Sequence, residues 1–462
     1  MNILLNFLLI AFLAIFALLS YKRLDRAVLF IIAGTPLYLI RFKMIGIPFT
    51  VFEAMILIAF SIWLVEDDGV KMKAIFKRKN PAPCPYKWEM VAVLLISLIA
   101  VITAGINKEA LGIFKAYFIE PLLLFILIID LFSNKAGRKK VVLSLAISAL
   151  LVSLFAIYQK ITGQFISNPF WAAAETRRVV SFFGYPNAVG LFLAPLTMIF
   201  IGYLFTDTSK KEKILFLVTI ISSILAIIFA QSEGALIGLA TAIFIFALLA
   251  NKKLRLGAII IGLAISITIF AYPPLKKLAF EKATLNDLSG QIRRQQWFET
   301  KEMLLDGRII QGAGLSNYQK TIASYHQAGI FIKNDDPKWL SKLMHSEEYR
   351  KQMWQPTEIY MYPHNIFLNF WSELGIFGAL LFCWIIAKFL WQSSHFLIKE
   401  KNNPERYLVL GLMTAMIVLV IHGLVDVPYF KNDLSALFWV LIALLSGLTY
   451  KLNEKNTPKV NR

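Results

Sequence analysis

Long apolar blocks separated by short polar clusters run from one end of the chain to the other. They lie at roughly 2–20, 27–40, 45–65, 88–104, 111–132, 141–162, 186–205, 214–231, 234–250, 256–272, 365–391, 407–425 and 434–450. A helix needs about 20 mostly apolar residues to cross about 30 Å of hydrocarbon, and most of the blocks reach or approach that length. Lipid offers no partners to backbone N–H and C=O groups, so helices that satisfy themselves are expected. The alternating pattern of a membrane β-barrel is not seen. The expected fold is an all-α polytopic membrane protein. The second block is short and holds Gly34 and Pro36, which leaves 12 or 13 crossings.

The polar clusters then set the organisation. Lys and Arg concentrate at 22–26, 71–79, 135–140, 210–213 and 251–255, and again after Tyr450. Cytoplasmic loops of membrane proteins carry such an excess. Placing all these clusters inside puts the loops 163–185 and 273–363 outside together. Arg41 and Lys43 go against this placement. The expected division is 1–272 as about ten N-terminal segments, 273–363 as one large extracytoplasmic loop, 364–450 as the C-terminal helices and 451–462 as a cytoplasmic tail. The loop is too small to fold confidently alone and is expected to pack on the membrane domain as a cap. The first block lacks a basic start and a small-residue cleavage site, so it reads as a retained span.

Composition agrees and removes other classes. Hydrophobic residues are 58% of the chain and mean hydropathy is +0.63, against about 45–50% apolar residues in soluble domains. The net charge of +19 sits in loop clusters between spans, which is how topology is written and not how a nucleic-acid groove is read. Cys84 and Cys383 are the only cysteines; one lies in a basic linker and the other in a span, so no disulfide is expected.

Charged residues within or beside the apolar blocks include Glu53, Lys115, Glu120, Glu233, Glu373 and Asp426. Each is read as either a structural pair or a cavity-lining group. Three outward stretches carry more. In Arg177-Arg178-Val-Val-Ser-Phe-Phe-Gly-Tyr-Pro186-Asn187 an arginine pair precedes a turn that opens a helix. Guanidinium forks and helix starts both suit phosphate, and an arginine snorkelling to headgroups is the alternative. In Arg293-Arg294-Gln-Gln-Trp297, followed by Gly312-Ala-Gly314, a basic amphipathic helix runs into a glycine-rich turn without the strand and lysine of a nucleotide loop. In His364-Asn365, followed by Glu373-Leu-Gly375, an imidazole stands where a helix re-enters the membrane. There it can act as a base or stand as a neighbour of the helix cap Asn365. Asn334-Asp335-Asp336 is the one acidic group that suggests a metal, and a solvated turn before Pro337 explains it equally.

Together these stretches carry a resemblance. From Arg178 onward the chain resembles the O-antigen ligase and polymerase family of bacterial surface-polysaccharide enzymes. The matching pattern is an arginine before Gly184-Tyr-Pro186-Asn187, then Ser232-x-Gly234-Ala235, then Arg293-x-x-x-Trp297 leading to Gly312-x-Gly314, then His364-Asn365 with Glu373 and two glycines, and Asp426 in His422-Gly-Leu-Val-Asp426. The resemblance implies a C-type glycosyltransferase-like membrane fold with one large outward loop. It implies a polyprenyl-diphosphate-linked glycan donor, used on the outer face of the bacterial inner membrane. Arg178, Arg293 and His364 take the catalytic positions, with Arg177 and Arg294 as further phosphate ligands. Asn187, Asn365, Glu373 and Asp426 support them. No metal or cofactor is implied, the acceptor is a lipid, a protein or another glycan, and nucleic acid is not a partner. One departure stands out: the family often has Ser-Arg-Gly where this chain reads Ser232-Glu233-Gly234.

A transporter or flippase of lipid-linked sugar is the competing expectation. Transporters commonly show internal repeats and broken helices at the bilayer midplane. This chain has no repeat of fixed period and gathers its unusual residues on one side.

Overall fold

Each apolar block contains a helix in the computed structural model, which describes residues 3–44, 47–66, 84–334 and 336–456. They are α1 (Ile3–Lys22), α2 (Leu24–Ala33), α3 (Val51–Val65), α4 (Lys87–Thr103), α5 (Lys108–Phe132), α6 (Lys135–Thr162), α7 (Pro186–Leu204), α8 (Lys210–Ala230), α9 (Glu233–Ala250) and α10 (Lys252–Ala271). After the large loop come α13 (Ile366–Lys399), α14 (Arg406–Gly423) and α15 (Asn432–Asn456). Nine of the described helices are long and apolar enough to cross a membrane. The chain is an all-α, multi-pass membrane protein.

The short second block behaves as its Gly and Pro require. α2 has ten residues and rises only about 15 Å. It gives way at Gly34 to a 3-10 turn, Thr35–Leu39, with Pro36 in its first positions. A strand pair then bridges the second and third blocks before any helix: β1 (Arg41–Met44) pairs antiparallel with β2 (Ile47–Thr50), Arg41 opposite Thr50. Thr50 then starts α3 by accepting from Glu53 N, while the Glu53 carboxylate accepts from Thr50 N. This reciprocal cap fixes where extended chain becomes helix.

α7 is the central helix and packs against α8 and α14; α9 packs on α14, and α15 on α5. At the crossing of α7 and α14, a Cβ on Gly202 would sit 2.5 Å from Tyr407 O and 2.9 Å from Gly411 Cα. Only small residues allow that approach, the usual device of helices that associate in lipid. At one end of the bundle the basic clusters meet: Arg138 forms an ion pair with Glu405 at 2.6 Å and Lys139 with Glu212 at 2.6 Å. Arg406 donates to Ala250 O and Leu249 O there. The loops that carry the motifs emerge at the opposite ends of the same helices.

The large loop begins with α11 (Pro273–Ala283) and α12 (Leu288–Leu305). It closes with β3 (Gly329–Phe331) paired antiparallel to β4 (Trp354–Pro356). Its own core is small, built from Met303, Leu304, Ala313, Tyr318 and Ile322, and it leans on the membrane helices. Ala313 N donates to Ser372 O at 2.6 Å, Leu315 N to Ala100 O at 3.2 Å, and Ser316 N to the Glu373 carboxylate at 2.6 Å. α13 is broken at Gly375, whose φ is +73° and where any Cβ would collide with Ile310 O. The glycine-rich turn fits into this break, Gly312 lying against the carbonyls of Trp371 and Ser372. Gly375→Ala is therefore expected to cost more than about 1 kcal/mol and to lower the melting temperature of the purified protein. An unchanged melting temperature would show that the break is not needed for docking.

Candidate functional site

The site is built where loop 163–185, the α8–α9 corner, α12, and the turns before α13 and after α14 come together. Gln159, buried at the end of α6, holds the first loop. Its Oε1 accepts from Val180 N and Ser181 N at 3.0 and 2.7 Å, and its Nε2 donates to Ser181 O at 2.9 Å. Arg178 is thereby aimed at the C-terminal end of α8. Its Nε donates to Ala230 O at 3.0 Å and its Nη2 to Gln231 O at 3.2 Å and Asn187 Oδ1 at 3.4 Å. A cation is favourable against those terminal carbonyls. Burial draws the Arg178 pKa below its ordinary value, with the Glu233 charge acting the other way; a guanidinium remains charged under such shifts.

Arg178, Asn187 and Asp426 form a wall shared by two adjoining cavities. Asn187 Nδ2 donates to Asp426 Oδ2 at 3.0 Å, and Asp426 Oδ1 accepts from Val427 N at 2.8 Å. The smaller cavity, about 340 Å³, adds Glu233, Lys282, Asp287, Arg293 and His422 to that wall. Its Lys282 donates at 2.8 Å to both Glu233 oxygens and to Asp287 Oδ2. Burial alone would depress the Lys282 pKa, but its bonds to Asp287 and Glu233 prevail and hold it above the ordinary value. The acidic departure at 233 is thus met by a cation delivered from α11. Arg293 reaches the cavity with Ser289 Oγ, at 2.8 Å, as its one side-chain hydrogen-bond partner among the described residues.

The larger cavity, about 600 Å³, is walled by Trp171, Tyr185, Tyr360, Tyr362 and His364. Trp297 explains how His364 comes to face Arg293's helix: its Nε1 donates to Pro363 O at 2.9 Å. Residues 293, 296 and 297 share one helical face, so that single bond brings Gln296 Oε1 within 3.1 Å of His364 Nδ1. When Nδ1 carries the proton and donates to Gln296, the lone pair is on Nε2, which has no partner among the described residues. Burial chiefly, opposed by Asp426 and reinforced by Arg293, holds the imidazole pKa below 6.5. The ring is therefore neutral near pH 7, the form a base needs. His364 has φ +45°, an uncommon backbone for a residue other than glycine.

Residues 217–383 match the family model described as O-antigen ligase. Over those residues, about a third of the chain, the sequence is similar to the O-antigen ligase family. No curated protein matches the chain. The matched O-antigen ligase region contains Arg293, His364, Glu373 and the departure at Glu233, and it stops short of Arg178 on one side and Asp426 on the other. The match supports glycosyl transfer as the class of chemistry.

Set against the residues expected from sequence, Arg178, Arg293, His364, Asn187 and Asp426 line the paired cavities. Four others do not. Arg177 turns away, donating to Ala172 O and Lys160 O, and Arg294 donates to Asn286 Oδ1. Asn365 caps α13, accepting from Phe367 N and Leu368 N at 3.0 Å, and donates to Leu424 O. Glu373 anchors the glycine turn. Asp335 lies outside the described residues, and its neighbour Asp336 is paired with Lys342 at 2.6 Å. Sequence reading did not single out Gln296, Lys282 or the aromatic walls. Only the Gln296 position, one helical turn from Arg293, carried a usable signal.

Proposed function

We propose that this protein transfers or polymerises glycan from a polyprenyl-diphosphate-linked donor on the outer face of a bacterial inner membrane. In this reading Arg178 and Arg293 hold the diphosphate and His364 Nε2 takes the proton of the acceptor hydroxyl. The supporting observation is the paired cavity: Arg178 and Arg293 line one chamber, Arg178 and His364 the other, and the Asn187–Asp426 wall divides them. Departure of the lipid diphosphate builds negative charge at the oxygens nearest the guanidinium groups. Fixed donors in a site of reduced dielectric stabilise such charge without reorganising. The sugar's anomeric carbon then passes from the diphosphate oxygen to the acceptor oxygen, and the proton passes to His364. The chemistry asks no metal of these residues, and transfer should survive a chelator.

The basic end of the bundle supports this orientation, since the positive-inside rule assigns such an end to the cytoplasm. A cysteine placed at exposed Ser324 should be labelled by an impermeant reagent in intact spheroplasts, and one placed at Lys211 should not. The opposite pattern would put the site on the wrong side for this donor. Characterising the surface glycan of cells with and without the protein tests the function itself. Loss of long chains with single repeats retained indicates a polymerase, and intact chains left on the lipid carrier indicate a ligase. An unchanged glycan would refute both.

A further inference from the structure

The larger cavity holds two cations that the transfer proposed above does not use. Lys431 follows the turn after α14, and its ammonium sits among the rings of Phe183, Tyr185 and Tyr38, at 4.8, 5.1 and 5.4 Å from their centroids. Among the described residues it has neither a hydrogen-bond acceptor nor an ion-pair partner; Asp433 and Asp426 act on it only at a distance. Arg41, at the start of β1, lines the same cavity and likewise has no side-chain partner among the described residues.

Three other cations withdrawn from solvent have carboxylate partners. Arg138 is paired with Glu405, Lys388 with Glu89 at 2.6 Å, and Lys115 with Glu53 at 3.1 Å. A cation partly taken from water without a paired counter-charge is costly, so Lys431, retained against a cavity with exposed Arg41 beside it, implies that an anion enters there. The charge of the two chambers points the same way. Among its lining residues the smaller has Arg178, Lys282 and Arg293 against Glu233, Asp287 and Asp426. The larger has Arg41, Arg178 and Lys431 against Asp426 alone.

The two cations are also held in register. Asn432, next to Lys431, donates to Glu53 Oε1 at 2.8 Å, and Lys115 bridges Glu53 and Pro48 O in β2. The hairpin that carries Arg41 is thus tied to the start of α15. Arg41 is, besides, one of the two basic residues that go against the charge placement of the loops, as expected of a charge kept for a ligand and not for topology.

We propose that Lys431 and Arg41, together with Arg178, form a second oxyanion subsite that takes a phosphoryl group on the His364 side of the Asp426 wall. This rests on the reading of the larger cavity as part of the transfer site. The phosphoryl group has two possible sources, the distal phosphate of the lipid donor or a phosphate on the acceptor.

The test measures binding to the purified full-length protein of two probes, farnesyl diphosphate for the donor and glucose 6-phosphate for the acceptor. It compares wild type with Lys431→Met, Arg41→Gln and Arg293→Gln. Losing one charge-assisted contact should weaken the relevant probe roughly 10-fold or more, and which probe weakens identifies the source. Lys431→Met should keep or raise the melting temperature, because a thioether suits the aromatic cage without a buried charge; a cage serving structure alone would show the reverse with unchanged affinity. Exposed Arg41→Gln gives an independent reading if Lys431→Met does not fold. Unchanged affinity for both probes in the folded variants, or no binding of either probe by wild type, overturns the subsite. Weakening of farnesyl diphosphate at Arg293→Gln alone would overturn it while leaving the donor clamp standing.

Discussion

Arg293→Ala is expected to slow glycan transfer roughly 10²–10³-fold, by analogy with removal of one oxyanion-hole donor. Arg178→Ala should cost at least as much, because Arg178 lies in the wall common to both chambers. Lysine should not restore either position fully. Arg178 uses Nε and Nη2 to grip the α8 carbonyls while its Nη1 remains for a ligand, and an ammonium cannot hold both roles from one point. Steady-state transfer by folded, purified variants is the measurement. Near-normal rates in Arg293→Ala would remove the diphosphate clamp. Strict need for a divalent ion would move attention to the acidic turn at Asp336.

His364→Asn is the second large effect. Asparagine tolerates the left-handed backbone that His364 adopts and can still donate toward Gln296, so the fold should be kept. The base is lost, and transfer should fall roughly 10²–10⁴-fold, with donor binding close to wild type. The pH profile supplies a separate check. Because the folded imidazole titrates below its usual 6.5, the neutral form is present at pH 7, and the rate should fall only as pH drops through that lowered value. The asparagine variant should lack this acid limb. An acid limb that persists in the variant would assign the titration to another group.

The apolar blocks made the bundle legible because lipid leaves a spanning chain little choice but helix. The sequence did not fix the end of α2 or the hairpin at Arg41. There short-range turn chemistry at Gly34, Pro36 and the Thr50 cap overrides hydropathy. The site was legible as stretches more than as atoms. Two adjacent arginines look alike in sequence, yet Gln159 and the α8 terminus aim Arg178 inward while Arg177 ties its own loop to α6. Glu373, expected as a supporting residue, receives the backbone of the glycine turn at Ser316 N, and Gly312 packs into the same joint; the sequence shows neither contact, because the joint depends on the break at Gly375. Lys282 could not be read from its neighbours, because its meaning comes from Glu233, distant in the chain.

The most direct measurement is transfer by the purified protein in lipid nanodiscs, supplied with a polyprenyl-diphosphate-linked glycan and an excess of chelator. Release of free polyprenyl diphosphate together with glycan joined to an acceptor, in equal amounts, is expected, and both should be lost in Arg178→Ala and His364→Asn. Glycan that remains on its lipid while crossing from one leaflet to the other of a proteoliposome would contradict this and make the protein a transporter.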